Sequence, residues 1–338
     1  MKKLNKIVIA LLVGILVSVS VNAQENSKLA QTGMKFLNAP SDARLASMGE
    51  ATTSINMGSA AMFGNPAVLA IDKKMVSLSV GVNKWIADIN YNYATASYRP
   101  SDGVFGTFAA SFVSVDYGEL IGTAVSTTDP KGYVKTQNFS PTAYSVGLGY
   151  GVALSEKFSV GAAFRYSNQN MDQGAYKRDT LGNFVYNEYK LDQVSYDLGI
   201  HYFTGYKSLA FGMSLRNFSG EKAYIENTFQ LPLTFKIGVS MDLMDLYDEG
   251  NTDHSFLLSV DASHPRDNEE NIGVGFEYSF MQLLYIRGGY LSGQSERDFS
   301  AGVGFKPSVM GISLGVDYAY MPFGIFSDVH NISVKFDL

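Results

Sequence analysis

The sequence predicts an all-β fold: a transmembrane antiparallel β-barrel of about fourteen strands, with an N-terminal plug segment. Three observations predict it. Apolar and polar residues alternate with period two from about Met75 to the last residue. The connections sort into long and short according to the parity of the strand before them. The composition is rich in glycine and aromatics but poor in charge.

Hydrophobic residues make up 46% of the 338-residue chain and charged residues only 17%, against a usual charged share of about 25%. With 33 Gly, 22 Phe and 21 Tyr, this is not the surface of an ordinary soluble domain. Beyond the N-terminus no stretch approaches the roughly 20 apolar residues of a spanning helix, so a membrane would be crossed by strands, and then only by a closed barrel. A net charge of −6 and a pI near 5.3 offer no basic face for phosphates, which argues against a nucleic-acid partner. The absence of cysteine excludes disulfides, thiolate metal sites and a cysteine nucleophile.

Residues 1–23 carry the three parts of a secretory signal peptide. Lys2, Lys3 and Lys6 are the positive region, Ile7 to Val19 the apolar core, and Val21-Asn22-Ala23 a cleavage-like tripeptide before Gln24. The apolar core is short for a membrane anchor. The expected destination is the bacterial outer membrane.

Strands are expected near 75–82, 90–99, 103–115, 142–151, 158–168, 193–203, 209–217, 232–243, 255–262, 271–280, 283–291, 298–306, 311–320 and 330–338. In the last, Ile332, Val334, Phe336 and Leu338 alternate with Asn331, Ser333, Lys335 and Asp337. A soluble sandwich would alternate in the same way; the loops separate the two. Connections after odd strands include Asp116 to Pro141, Gln169 to Asp192 and Phe218 to Leu231, whereas those after even strands are mostly tight, as at Pro100-Ser101-Asp102 and Met281-Gln282. Long loops at one rim and short turns at the other characterise membrane barrels. Phe164, Tyr166, Tyr196, Tyr202, Tyr278, Phe280, Tyr318, Tyr320 and Phe323 gather toward strand ends, as interfacial girdles would, although aromatics also simply favour strands. The terminal run with Val334, Phe336 and Leu338 resembles the signal by which barrel-insertion machinery recognises outer-membrane barrels.

Residues 24–74 lack the strand pattern and are rich in small residues, as a plug packed inside a lumen would be. Arg44, Met48, Gly49, Asn65 and Pro66 are its candidate functional residues, and residues 75–338 form the barrel. The runs FLNAPSDARLASMGEA and FGNPAVLA, with DYGEL at 116–120 and FSVGAAFRY at 158–166, resemble the PorV/PorQ family of outer-membrane proteins, relatives of the FadL-type fatty-acid transporters. The motifs cover about residues 33–170. Gly49-Glu50 departs from the two glycines that family members often carry after the methionine. The resemblance implies a fourteen-stranded barrel with a plug, and a role as a type IX secretion accessory that binds or anchors cargo or attachment-complex proteins at the cell surface.

Arg44 and Asn65 are expected to tie the plug to lumenal carboxylates such as Asp261, Glu277 or Asp317, or else to serve a purely structural network. Asn65-Pro66 reads as a turn or Asx cap. Arg165, Arg216, Lys236, Arg287, Lys335, Asp197, Asp242 and Asp337 are candidate lumenal charges of both signs, unlike a single-sign ion filter. Gly147, Gly149, Gly151, Gly302 and Gly304 read as small lumen-facing strand positions. The four histidines, His201, His254, His264 and His330, have no metal-ligand spacing, and no metal, cofactor or catalytic constellation is expected. Expected partners are outer-membrane lipid and secretion-machinery or cargo proteins, the latter met by loop residues Tyr117, Tyr133, Phe139, Tyr176 and Tyr186; loop or girdle packing would also explain these aromatics. The alternative is a FadL-like channel for long-chain fatty acids or other hydrophobic small molecules, and a third reading is a passive structural barrel.

Overall fold

The structure, a computed structural model, describes residues 31–225, 227–248, 253–293 and 297–338, and of Tyr176 the backbone alone. The signal-peptide expectation for residues 1–23 lies outside the described residues. Fourteen strands form the barrel: β1 (Val76–Lys84), β2 (Asn90–Tyr98), β3 (Thr107–Asp116), β4 (Thr142–Ala153), β5 (Phe158–Arg178), β6 (Phe184–Phe203), β7 (Ala210–Phe218), β8 (Thr234–Asp242), β9 (His254–Pro265), β10 (Asn271–Phe280), β11 (Leu284–Leu291), β12 (Phe299–Phe305), β13 (Ile312–Met321) and β14 (Val329–Asp337). Each pairs antiparallel with its neighbours, and β14 returns to β1 with Val334 opposite Val80. The ring is closed, which leaves the sheet without a free edge.

Burial along the strands separates this barrel from a soluble sandwich. In β14 the polar Asn331 and Ser333 are fully buried while Ile332 is 50% exposed; in β1 Ser77 and Ser79 are buried while Val80 is 51% exposed. Polar residues point inward and apolar ones outward, the polarity that lipid demands of a spanning barrel. Val334, Phe336 and Leu338 share the outward register. Of the expected girdle residues, Phe323 departs. It is buried, edge-on to Trp85 at 5.0 Å, because the chain folds inward after β13 to cover the plug.

Two connections differ from expectation. Residues 169–192, expected as a loop, are the outer halves of β5 and β6, which stay paired up to Arg178 opposite Phe184. β4 accompanies β5 only to Asn170, and β7 reaches β6 only at Tyr196, so this hairpin projects beyond the rim. Both of its faces meet water, and the apolar alternation that marks a strand is absent there for that reason. The Asp116–Pro141 connection contains a small hairpin, Thr123–Val125 with Tyr133–Lys135.

Inside the barrel runs the segment before β1, built of short turns: 3-10 helices at Lys35–Asn38, Gly58–Phe63 and Pro66–Ile71, and one α-helix, α1 (Ala43–Ser47). Met34, Met48, Met62, Val68 and Leu69 are almost completely buried there. The wall meets this segment at glycines. A Cβ on Gly161 would lie 2.4 Å from Ala67 N, on Gly212 2.2 Å from Thr53 O, and on Gly289 2.0 Å from Gly49 N; any side chain would push the plug away. Gly149, Gly151 and Gly302 likewise face it.

Candidate functional site: two mouths around a plug

Two short sequence motifs set the plug's geometry. Asp42 begins α1, its Oδ1 accepting from the N–H groups of Arg44 (2.9 Å) and Leu45 (3.2 Å), as an N-cap carboxylate does. Asn65 begins the Pro66–Ile71 turn, its Oδ1 accepting from Ala67 N at 3.0 Å with proline in the first position. Both caps leave the following side chains with fixed headings.

At the short-turn mouth, capping by Asp42 aims Arg44 at the wall. Its Nε and Nη2 donate to the two oxygens of Glu277 on β10 at 2.8 and 2.7 Å, and Nη1 donates to the Asn56 carbonyl at 2.6 Å. Glu277 also accepts from Arg287 on β11, Arg287 donates to Asp317 on β13 at 2.6 Å, and Lys335 on β14 lies 3.5 Å from Asp317 and 3.1 Å from Asp42. These six groups form a closed circuit of alternating sign that leaves the plug at Arg44 and returns to it at Asp42. Charges taken out of water need such partners, because an unpaired one is costly. The circuit borders a cavity of about 350 Å³ that also touches Asp72, Lys74, Ser77 and Lys306. Burial pushes the Asp72 carboxyl above its ordinary range, against the Lys74 N–H it accepts.

A second cavity, of about 360 Å³, opens at the long-loop mouth. Its lining is in part aromatic: Phe36, Trp85, Tyr91, Tyr117 and Phe323. It is also charged, with Lys35, Arg216, Lys236 and Arg297 against a single lining carboxylate, Glu50, and Arg297 lies over the Phe323 ring at 5.5 Å. Gly49 and Glu50 both adopt left-handed backbone, φ +59°. The departure from glycine at position 50 thus leaves the tight turn in place, at the strain a non-glycine residue bears there. Glu50 reaches Arg297 Nη2 at 2.6 Å and Lys236 Nζ at 3.5 Å. Burial opposes its charge, yet these two cations outweigh burial and hold its carboxyl at about 2.

The structure brings Arg44 to Glu277, and Asp317 meets Arg287 and Lys335 instead. Asp261 is taken by the backbone N–H and hydroxyl of Thr53, at 3.0 and 2.7 Å. Asn65 reaches no carboxylate: with Oδ1 used in capping, its Nδ2 donates to the carbonyls of Thr53 (2.8 Å) and Ile200 (2.9 Å). Among the lumenal charges, Arg165 pairs with Asp197 at 2.6 Å and Lys306 with Asp337. Met48, Gly49 and Pro66 are backbone and packing contacts to the wall: a Cβ on Gly275 would lie 2.4 Å from Met48 O, and one on Gly161 2.5 Å from Pro66 O. The loop aromatics differ in exposure, and the Tyr186 hydroxyl accepts from Gln137 N at 3.3 Å. Tyr133 is exposed on the small hairpin and Phe139 is half-buried. Tyr176 and Tyr186 lie on the β5–β6 hairpin. Tyr117 departs from an exposed loop position: it is half-buried and lines the long-loop cavity, its hydroxyl accepting from Gln169 at 3.3 Å. Sequence reasoning missed Trp85, Tyr91 and Arg297. Tyr91 carried a signal in the inverted polarity of β2, where Asn90 and Asn92 face outward and tyrosines inward; Arg297 carried none.

The fold defines a class, the plugged fourteen-strand barrel. No protein-family model matches the chain, and no curated protein sequence matches it. Among solved structures it is similar to the toluene transporter TodX of Pseudomonas putida (TM-score 0.60, 11% identity, covering 88% of this chain and 97% of that one). It is as similar to the toluene transporter TbuX of Ralstonia pickettii (0.60, 13%, 88% and 97%), and less so to a FadL homologue of Pseudomonas aeruginosa (0.52, 11%, 88% and 97%). At these identities the likeness is one of fold.

Proposed function

We propose that this chain is an outer-membrane barrel, exported by a cleaved signal peptide, that binds and admits small molecules with a hydrophobic part. One observation carries this reading: a plug with a cavity at each mouth, inside the same barrel fold as proteins described as toluene transporters. The cavities lie within the range of about 300–1,000 Å³ of small-molecule sites, and an aromatic lining at the long-loop mouth suits an apolar ligand. A strain lacking the gene takes up toluene or a long-chain fatty acid more slowly when either is limiting. Unchanged uptake of both would overturn the reading.

A second reading, the secretion accessory implied by the PorV/PorQ resemblance, is favoured by the projecting β5–β6 hairpin, a ledge for a protein partner. The solved structures lend it no support. It expects cargo to be trapped in the periplasm of the deletion strain, and normal surface display there would remove it.

A further inference from the structure

We propose that the long-loop cavity is a binding site for a small aromatic carboxylate, and that Glu50 is a built-in competitor for the same cations. The inference rests on the reading of the protein as a barrel for small molecules and adds a negative charge to the ligand.

The charge on the lining points to an anion. Arg216 lines the cavity, and no carboxylate answers it closely: its buried Nε has no hydrogen-bond partner and lies 4.0 Å from Asp197, which Arg165 already engages. Lys236 is 3.5 Å from Glu50, near the limit for a direct contact. Asp267 answers Lys35, and Asp261 is bonded to Thr53. Arg216 and Lys236 therefore line the cavity as cations that carboxylates answer only at 4.0 and 3.5 Å, and a guanidinium fork is suited to a carboxylate. A hydrocarbon in this place would bury those cations further without answering them.

The aromatic lining and the volume select the rest of the ligand. Trp85 stands edge-on to Phe323 at 5.0 Å and to Tyr91 at 6.1 Å, an arrangement that a further ring can join. A volume of about 360 Å³ is near the low end for ligand sites, which favours one or two rings over a long alkyl chain. Glu50 already shows how a carboxylate is received: presented from a left-handed turn, it lies between Arg297 and Lys236, where the ligand's own carboxylate would compete.

Trp85 is the chain's one tryptophan, so its fluorescence reports the cavity alone. The purified full chain in detergent is titrated with benzoate, benzamide and toluene. Benzoate is expected to change the emission saturably and to bind at least about tenfold more tightly than benzamide, the worth of one charge-assisted contact. Glu50→Gln is expected to tighten benzoate by about tenfold, and Arg216→Gln to weaken it by as much. Should Glu50→Gln fail to give a heat-modifiable barrel, the benzoate preference of the unaltered chain and its loss in Arg216→Gln decide. Equal binding of all three rings, or benzoate unaffected by Glu50→Gln in a folded barrel, overturns the proposal while the uptake reading stands. No response to any ring overturns it too, and only unchanged uptake in the deletion strain removes the broader function.

Discussion

The two mouths of the barrel hold cavities of nearly equal volume, about 350 and 360 Å³, and spend their charges in opposite ways. At the short-turn mouth every cation of the circuit faces a carboxylate, and the circuit passes through the plug at Arg44 and Asp42. At the long-loop mouth four cations line the cavity with one carboxylate, Glu50, which meets only Arg297 and Lys236, among aromatic rings. Buried ion pairs add little net stability over a well-packed apolar core but penalise any change that strands one partner. The short-turn mouth is thus the fastened end of the plug, and the long-loop mouth is the receptive end.

The largest expected effect tests the fastening. Arg44→Ala leaves Glu277 with Arg287 alone and opens the circuit, and it should lower stability by about 3 kcal/mol, read as a lower temperature for loss of the heat-modifiable folded form. Arg297→Ala, at the other mouth, leaves Glu50 beside Lys236 and should lose less than half as much. Equal losses would erase the distinction between the mouths.

Acid should affect Glu50 and Asp72, one at each mouth, with opposite sign. Glu50 has its carboxyl lowered from 4.5 to about 2, so its contribution to stability is full above 4.5 and is lost as pH falls toward about 2. Asp72, at the short-turn mouth, is raised from 3.8 by burial. Its neutral form is favoured in the folded state, so its contribution is full below 3.8 and is lost as pH rises through the raised value. Unfolding midpoints followed from pH 6 to pH 2 should therefore decline less at the acid end in Glu50→Gln, by about 2 kcal/mol. Asp72→Asn should instead gain stability at neutral pH. An unchanged acid limb in Glu50→Gln would mean that the Arg297 and Lys236 contacts do not hold the carboxylate.

The barrel was legible because lipid enforces one rule on every strand: apolar outward, with a period of two. The strands follow it except near the long-loop rim, as in β2 where Tyr91 and Tyr93 face inward, and the reading ended where the rule ends, at the outer halves of β5 and β6. The plug obeys no period. Its turns are short, and each is set by one capping residue, so Asp42-Ala-Arg44 and Asn65-Pro66-Ala67 were visible as motifs while their directions were not. Charge alone led Arg44 to three carboxylates without choosing among them, and the one it meets is Glu277. Asn65 was misdirected because an amide satisfied by its own turn has no need of a carboxylate. The long-loop cavity stayed hidden because its residues come from nine separate stretches of chain, and Glu50 stood out only as a missing glycine.

The smallest expected effect concerns how the long-loop mouth holds its shape. Gln169 bridges two phenols, donating to the Tyr117 hydroxyl at 3.3 Å and accepting from Tyr224 at 3.0 Å. Burial lifts both phenols to about 12, from an ordinary value near 10, so Tyr117, which lines the cavity with Arg216 and Lys236, adds no negative charge there until the solution is strongly alkaline. Tyr117→Phe keeps the ring and removes one long hydrogen bond, and it should lower stability by less than about 1 kcal/mol. Absorbance near 295 nm in an alkaline titration should lose one late-ionising tyrosine. A loss as large as that of Arg44→Ala would show that this mouth, too, is fastened, and that its open cations are part of a lock and not of a site.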